Sequence, residues 1–143
     1  MMKRLCIAAA LLSLLQPVAA QTRRPQVDLQ CDAHGLGPIL DCRVGLRTAQ
    51  GEPMSGASVT LGATMPSMPM AHSVRPVKAV PGVAPGEYRG ELALEMGGSW
   101  AIEIDIAGPV RERVVRVLLA EECADNGRCL ARPARPGTAP HKH

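Results

Sequence analysis

The sequence predicts an all-β chain, an immunoglobulin-like β-sandwich of about seven short antiparallel strands. Three observations carry this. Beyond residue 20 the apolar residues alternate with polar ones at period two, and no stretch repeats at the helical 3.6. The alternating runs are short and are separated by turn residues every eight to twelve positions or so. Glycine (14) and proline (13) make up about a fifth of the 143 residues, enough to punctuate many strands.

The elements follow in order. Val27-Asp28-Leu29-Gln30-Cys31 alternates, and so does Cys42-Arg43-Val44-Gly45-Leu46-Arg47, with both arginines on the face opposite Cys42, Val44 and Leu46. Gln50-Gly51-Glu52-Pro53 is a turn, after which Ala57 to Ala63 forms a strand through Val59 and Leu61. Ser73 to Val80 is a further strand, which Pro76 confines to a sheet edge because proline has no N–H to donate. After the turn at Val83-Ala84-Pro85-Gly86, one face carries Tyr88, Gly90, Leu92, Leu94 and Met96. Gly97-Gly98 is expected to make a hairpin. Trp100, Ile102, Ile104 and Ile106 then alternate with Glu103 and Asp105, and Arg111 to Glu121 is the last strand. Trp100 is expected to anchor the core, with Tyr88 beside it.

The first twenty residues read differently. Met1-Met2-Lys3-Arg4 is a positive start, Leu5 to Leu15 is an apolar run, and Val18-Ala19-Ala20 offers the small residues of a cleavage site. Residues 1–20 are therefore expected to be a secretory signal peptide, too short to span a bilayer. Cys6 lies too early to accept a lipid. Residues 21–131 form one sandwich domain, and the proline-rich tail, residues 132–143, is expected to be disordered. With no later apolar run approaching eighteen residues, the mature chain is expected to have no membrane span and to be periplasmic or secreted.

Composition excludes several function classes. Removing Lys3 and Arg4 leaves 14 basic and 13 acidic residues, so the mature chain has no charge surplus for nucleic acid or anionic lipid. One Trp, one Tyr and no Phe leave no stacking platform for single-stranded nucleic acid. No G-x-S-x-G or H-E-x-x-H is present, and the serines have no identifiable base, so the chain is read as not an enzyme. His34 is read as a turn residue, and His141 and His143 as part of the tail.

Export gives the cysteines a meaning. Cys31, Cys42, Cys123 and Cys129 are an even set in an oxidising compartment and read as two disulfides, with three connectivities open. Proximity favours Cys31–Cys42 and Cys123–Cys129. A four-thiolate zinc site would want paired C-x2-C knuckles, which are missing.

The segment Met65-Pro66-Ser67-Met68-Pro69-Met70-Ala71-His72 carries the chemistry. Thioethers are soft, neutral donors that select Cu(I) and are not consumed by disulfide formation; imidazole extends the range to Cu(II). Met68, Met70 and His72 fall at i, i+2 and i+4, on one side of an extended chain. Its ends would stand about 13 Å apart, so the loop must bend or a distant ligand must complete the set. Met96 is the candidate. The competing reading makes these methionines gap-fillers of an aromatic-poor core.

Three motifs in this order, the Met-Pro segment 65–70, Gly86-Glu87-Tyr88-Arg89-Gly90 and Met96-Gly97-Gly98-Ser99-Trp100, resemble the YtkA-like domain family, which is related to the FixH-type proteins. The resemblance covers roughly residues 40–118. It implies a small exported or membrane-anchored β-sandwich of the kind found alone or joined to heavy-metal efflux adaptors and oxidase-assembly proteins. Copper handling is thus implied. Met65, Met68, Met70, His72 and Met96 are the expected ligands, Cu(I) rather than Cu(II) the expected ion, and a periplasmic copper donor or acceptor the expected partner. The alternative is a non-catalytic interaction module of an envelope assembly, with the Met-Pro loop as its docking surface.

Overall fold

The computed structural model describes residues 24–33, 39–119 and 128–133. The expected signal peptide, His34, Cys123, His141 and His143 lie outside the described residues. Nine strands are present among them: β1 (Gln26–Ala33), β2 (Ile39–Arg47), β3 (Ser58–Thr64), β4 (Ser73–Lys78), β5 (Val80–Pro81), β6 (Glu87–Ala93), β7 (Ser99–Ala107), β8 (Glu112–Leu119) and β9 (Arg128–Pro133). All pairings are antiparallel, in the order β4-β3-β7-β8-β9-β1-β2-β6-β5. One layer is β1-β2-β6-β5 and the other β4-β3-β7-β8, the strand arrangement of an immunoglobulin-like sandwich.

Period-two alternation decides which face of each strand is buried. Val27, Leu29 and Cys31 of β1 and Leu40, Cys42, Val44 and Leu46 of β2 face Val59 and Leu61 of β3 and Trp100, Ile102, Ile104 and Ile106 of β7. No polar or charged residue among those described is buried, and no buried side-chain N or O lacks a partner. The outer faces carry the ions: Arg43 pairs with Asp32, Arg89 with Glu87, and Arg113 with Asp105. Directly opposed in the β1–β2 ladder, Cys31 and Cys42 form a disulfide. The backbone of Cys129 lies in register with Cys31 on the other side, while its expected partner Cys123 is outside the described residues.

Two strands exceed the expected seven. The run Ser73–Val80 is not one strand, because the chain crosses between layers at Ala79. That residue is buried, and its N–H donates to the Val59 carbonyl at 2.9 Å. Small residues make room there: a Cβ on Gly90 would stand 2.9 Å from Leu61 Cδ1 and 3.6 Å from the Ala79 Cβ. Pro76 lies where the β3–β4 register shifts, on an edge strand as its chemistry requires. β9 pairs first with β1 and then with β8, so it stitches the two layers along the opposite seam. It ends at Pro133, two residues into the stretch expected to be disordered; residues 134–143 are outside those described. Where β9 stops, Arg116 Nη2 reaches across to the Val27 carbonyl at 2.8 Å.

Two further expectations are corrected. Gly97-Gly98 does not make a hairpin: β6 and β7 lie in different layers, and residues 94–98 arch between them. Each strand has a full apolar face to bury, and the two faces meet across the core rather than side by side in one sheet. Tyr88 does not stand beside Trp100 but at the other end of β6, where its hydroxyl donates to the Met54 carbonyl and accepts from the Ala57 N–H.

Gly86, at the head of the G-x-Y-x-G motif, has φ 74°, and a Cβ there would stand 2.6 Å from the Leu46 carbonyl oxygen and 2.9 Å from the Met54 nitrogen. Both neighbours are backbone and cannot swing aside. Gly86→Ala is therefore expected to cost roughly 2–5 kcal/mol through left-handed strain plus overpacking. Urea unfolding measures it; a loss under 1 kcal/mol would contradict the geometry.

Candidate functional site

The Met-Pro segment is the loop of the β3–β4 hairpin. Thr64 pairs with Ser73, and the loop is closed by the Met65 N–H donating to the His72 carbonyl at 3.1 Å. Inside it the backbone makes two consecutive turns. The Met68 N–H donates to the Met65 carbonyl at 3.0 Å, and the Ala71 and His72 N–H groups both donate to the Met68 carbonyl at 3.1 Å. Pro66 and Pro69 each occupy the second position of a turn, where the ring's fixed φ is the one required. The expected extended conformation is thus replaced by a doubly turned loop, which removes the problem of ends far apart. The repeat Met-Pro-x-Met-Pro-x is what folds it.

The neighbouring arch comes from the other layer. Thr64 also pairs with Ala101, so the end of β3 lies beside the start of β7. Trp100, fully buried, donates its indole Nε1–H to the Met96 carbonyl at 3.1 Å. This bond turns the chain at Met96, which consequently does not continue the inward face of β6. His72 Nδ1 and Glu95 Oε2 are 2.7 Å apart and join hairpin loop to arch. With Nδ1 so engaged, Nε2 is the nitrogen left for a ligand, the arrangement in which a carboxylate orients a metal-binding imidazole.

The five predicted residues separate by burial. Met65 is 4% exposed and closes the core, and its terminal methyl lies 3.3 Å from where a Gly98 Cβ would stand. Met68 (42%), Met70 (99%) and Met96 (43%) are displayed. His72 is partly buried, with Nδ1 against Glu95. Glu95 is the residue that the sequence reading missed. Its only local signal is adjacency to Met96; its partner lies 23 positions away. Among the described residues no three His, Cys, Asp or Glu side chains are grouped to hold a metal; what this end offers instead is a set of exposed thioethers and one imidazole. That set fits a soft monovalent ion such as Cu(I) and does not fit a hard or four-thiolate site.

Fold and loops together define a small immunoglobulin-like sandwich that displays thioethers at one end. Residues 41–105 match the model of the YtkA-like family. The matched stretch runs from β2 into β7 and contains all three motifs on which the resemblance rested. No curated protein and no solved structure matches the chain. No helix among the described residues is long and apolar enough to cross a membrane.

Burial predicts opposite responses from two methionines five residues apart. Met65→Ala is expected to cost about 2–4 kcal/mol by emptying the end of the core. Met70→Ala is expected to stay within about 0.5 kcal/mol of the parent. Denaturant midpoints of the two variants, at constant m-value, check both.

Proposed function

We propose that this protein is an exported, non-catalytic Cu(I)-binding module that receives copper from, or passes it to, a partner in the periplasm. Met68, Met70, Met96 and His72 supply the ligands, and Met65 supports the loop from beneath. The observation that carries the reading is the His72–Glu95 contact, which brings the hairpin loop and the arch to one place and orients the imidazole. The donor chemistry adds to it, since thioethers hold Cu(I) without carrying charge and release it to thiolate or imidazole acceptors. The apparent secretory signal and the Cys31–Cys42 disulfide support an oxidising compartment. A second disulfide, Cys123–Cys129, belongs to the same proposal.

A second reading has its own support. Met68, Met70 and Met96 are three of the six exposed large hydrophobic residues among those described, and such a surface could seat a protein partner with no metal between.

Competition against a Cu(I) chelator separates the two. Met68→Leu with Met70→Leu keeps the apolar volume and removes two sulfurs. Affinity is expected to fall by more than about tenfold with little change in stability. Glu95→Ala is expected to lower it roughly 10–100-fold by freeing the imidazole. The thioethers take up no protons, so the part of the affinity that they supply should persist in mildly acidic solution. Equal Cu(I) binding by the double variant, or none by the parent, would leave the docking reading in its place.

A further inference from the structure

The fold divides the protein's oxidisable side chains into a protected set and a displayed one. Among the described residues, Met54 and Met65 are 7% and 4% exposed, and Trp100 and Tyr88 are in the core. Cys31 and Cys42 are buried and already joined to each other. The displayed set is Met68, Met70 and Met96, all on the hairpin loop and arch. A peroxide must approach a thioether sulfur directly, so attack follows exposure. Here exposure and the candidate metal donors coincide.

We propose that Met68, Met70 and Met96 are reversible oxidation sites through which a peroxide turns Cu(I) loading off. The proposal rests on the Cu(I) reading above and adds a regulation to it. The sulfur lone pair attacks one peroxide oxygen, an S–O bond forms and the O–O bond breaks. The departing hydroxide takes up a proton and leaves as water. Sulfur is oxidised by two electrons and the peroxide is reduced by two. The product sulfoxide is polar and presents oxygen, a hard donor, in place of the soft sulfur that Cu(I) selects. A dithiol reductant reverses the change: the sulfoxide oxygen leaves as water, the thioether returns, and the dithiol becomes a disulfide.

The position of the sites makes the change local. All three side chains are displayed rather than packed, and the turns that shape the loop are backbone hydrogen bonds between Met65, Met68, Ala71 and His72. Sulfoxidation leaves those bonds and the core residue Met65 untouched. The fold survives while the donor set is lost.

The test uses the mature chain, treated with hydrogen peroxide in the absence of copper and freed of peroxide before Cu(I) is added. Peptide mass mapping is expected to show about 16 Da added at Met68, Met70 and Met96 before any at Met54 or Met65. At that stage the unfolding midpoint is unchanged, and Cu(I) affinity, measured by chelator competition, is lower by about a hundredfold. Methionine sulfoxide reductase with a dithiol restores it. The triple variant Met68→Leu, Met70→Leu, Met96→Leu takes up no oxygen at these positions. Oxidation of Met54 or Met65 as fast as Met68 overturns the proposal, as does undiminished Cu(I) binding by the loop-oxidised chain. The latter result leaves the metal reading standing. Failure of the untreated chain to bind Cu(I) removes that reading and the regulation with it.

Discussion

The indole of Trp100 is the point on which the site end of the molecule turns. Its ring fills the core at the start of β7, and its one polar atom must find an acceptor, which is the Met96 carbonyl. That bond fixes the arch 94–98 over the end of the sandwich instead of letting β6 run on. Because Thr64 pairs with Ala101, the arch stands beside the β3–β4 loop. Glu95 therefore meets His72. A single buried aromatic thus sets the distance between two loops that come from different layers.

The methionines show how burial assigns chemistry. Met54 and Met65 serve as core, filling space that a chain without phenylalanine cannot fill with rings. Met68, Met70 and Met96 carry the same thioether on exposed positions of the loop and the arch. Burial divides the Met-Pro segment itself: Met65 packs into the core, while Met68 and Met70 are exposed. The dividing line falls within the first turn, between Met65 and Met68.

Closure of the sandwich keeps this end in register. The edge strand crosses layers at Ala79, where Gly90 leaves space, and β9 joins β8 to β1 along the other seam. The β1–β2 disulfide joins two neighbouring strands of one layer at directly opposed positions.

Period-two alternation and turn residues determined, from the sequence alone, that the chain is an all-β sandwich and which faces are buried, and proximity favoured, among three connectivities, the Cys31–Cys42 pair that forms. These are local or near-local properties, set by side-chain parity and short loop closure. The doubled Met-Pro-x repeat likewise encodes its own turns, although parity alone had suggested an extended run. Tertiary structure decided the rest. Whether Gly97-Gly98 turned within a sheet or between sheets depended on what β6 and β7 buried, which no spacing records. The split at Ala79 arose from two layers meeting at small residues far apart in sequence. The place of β9 came from contacts with both β1 and β8. Glu95 had no motif at all, and became part of the site only because an indole nitrogen needed an acceptor four residues before it.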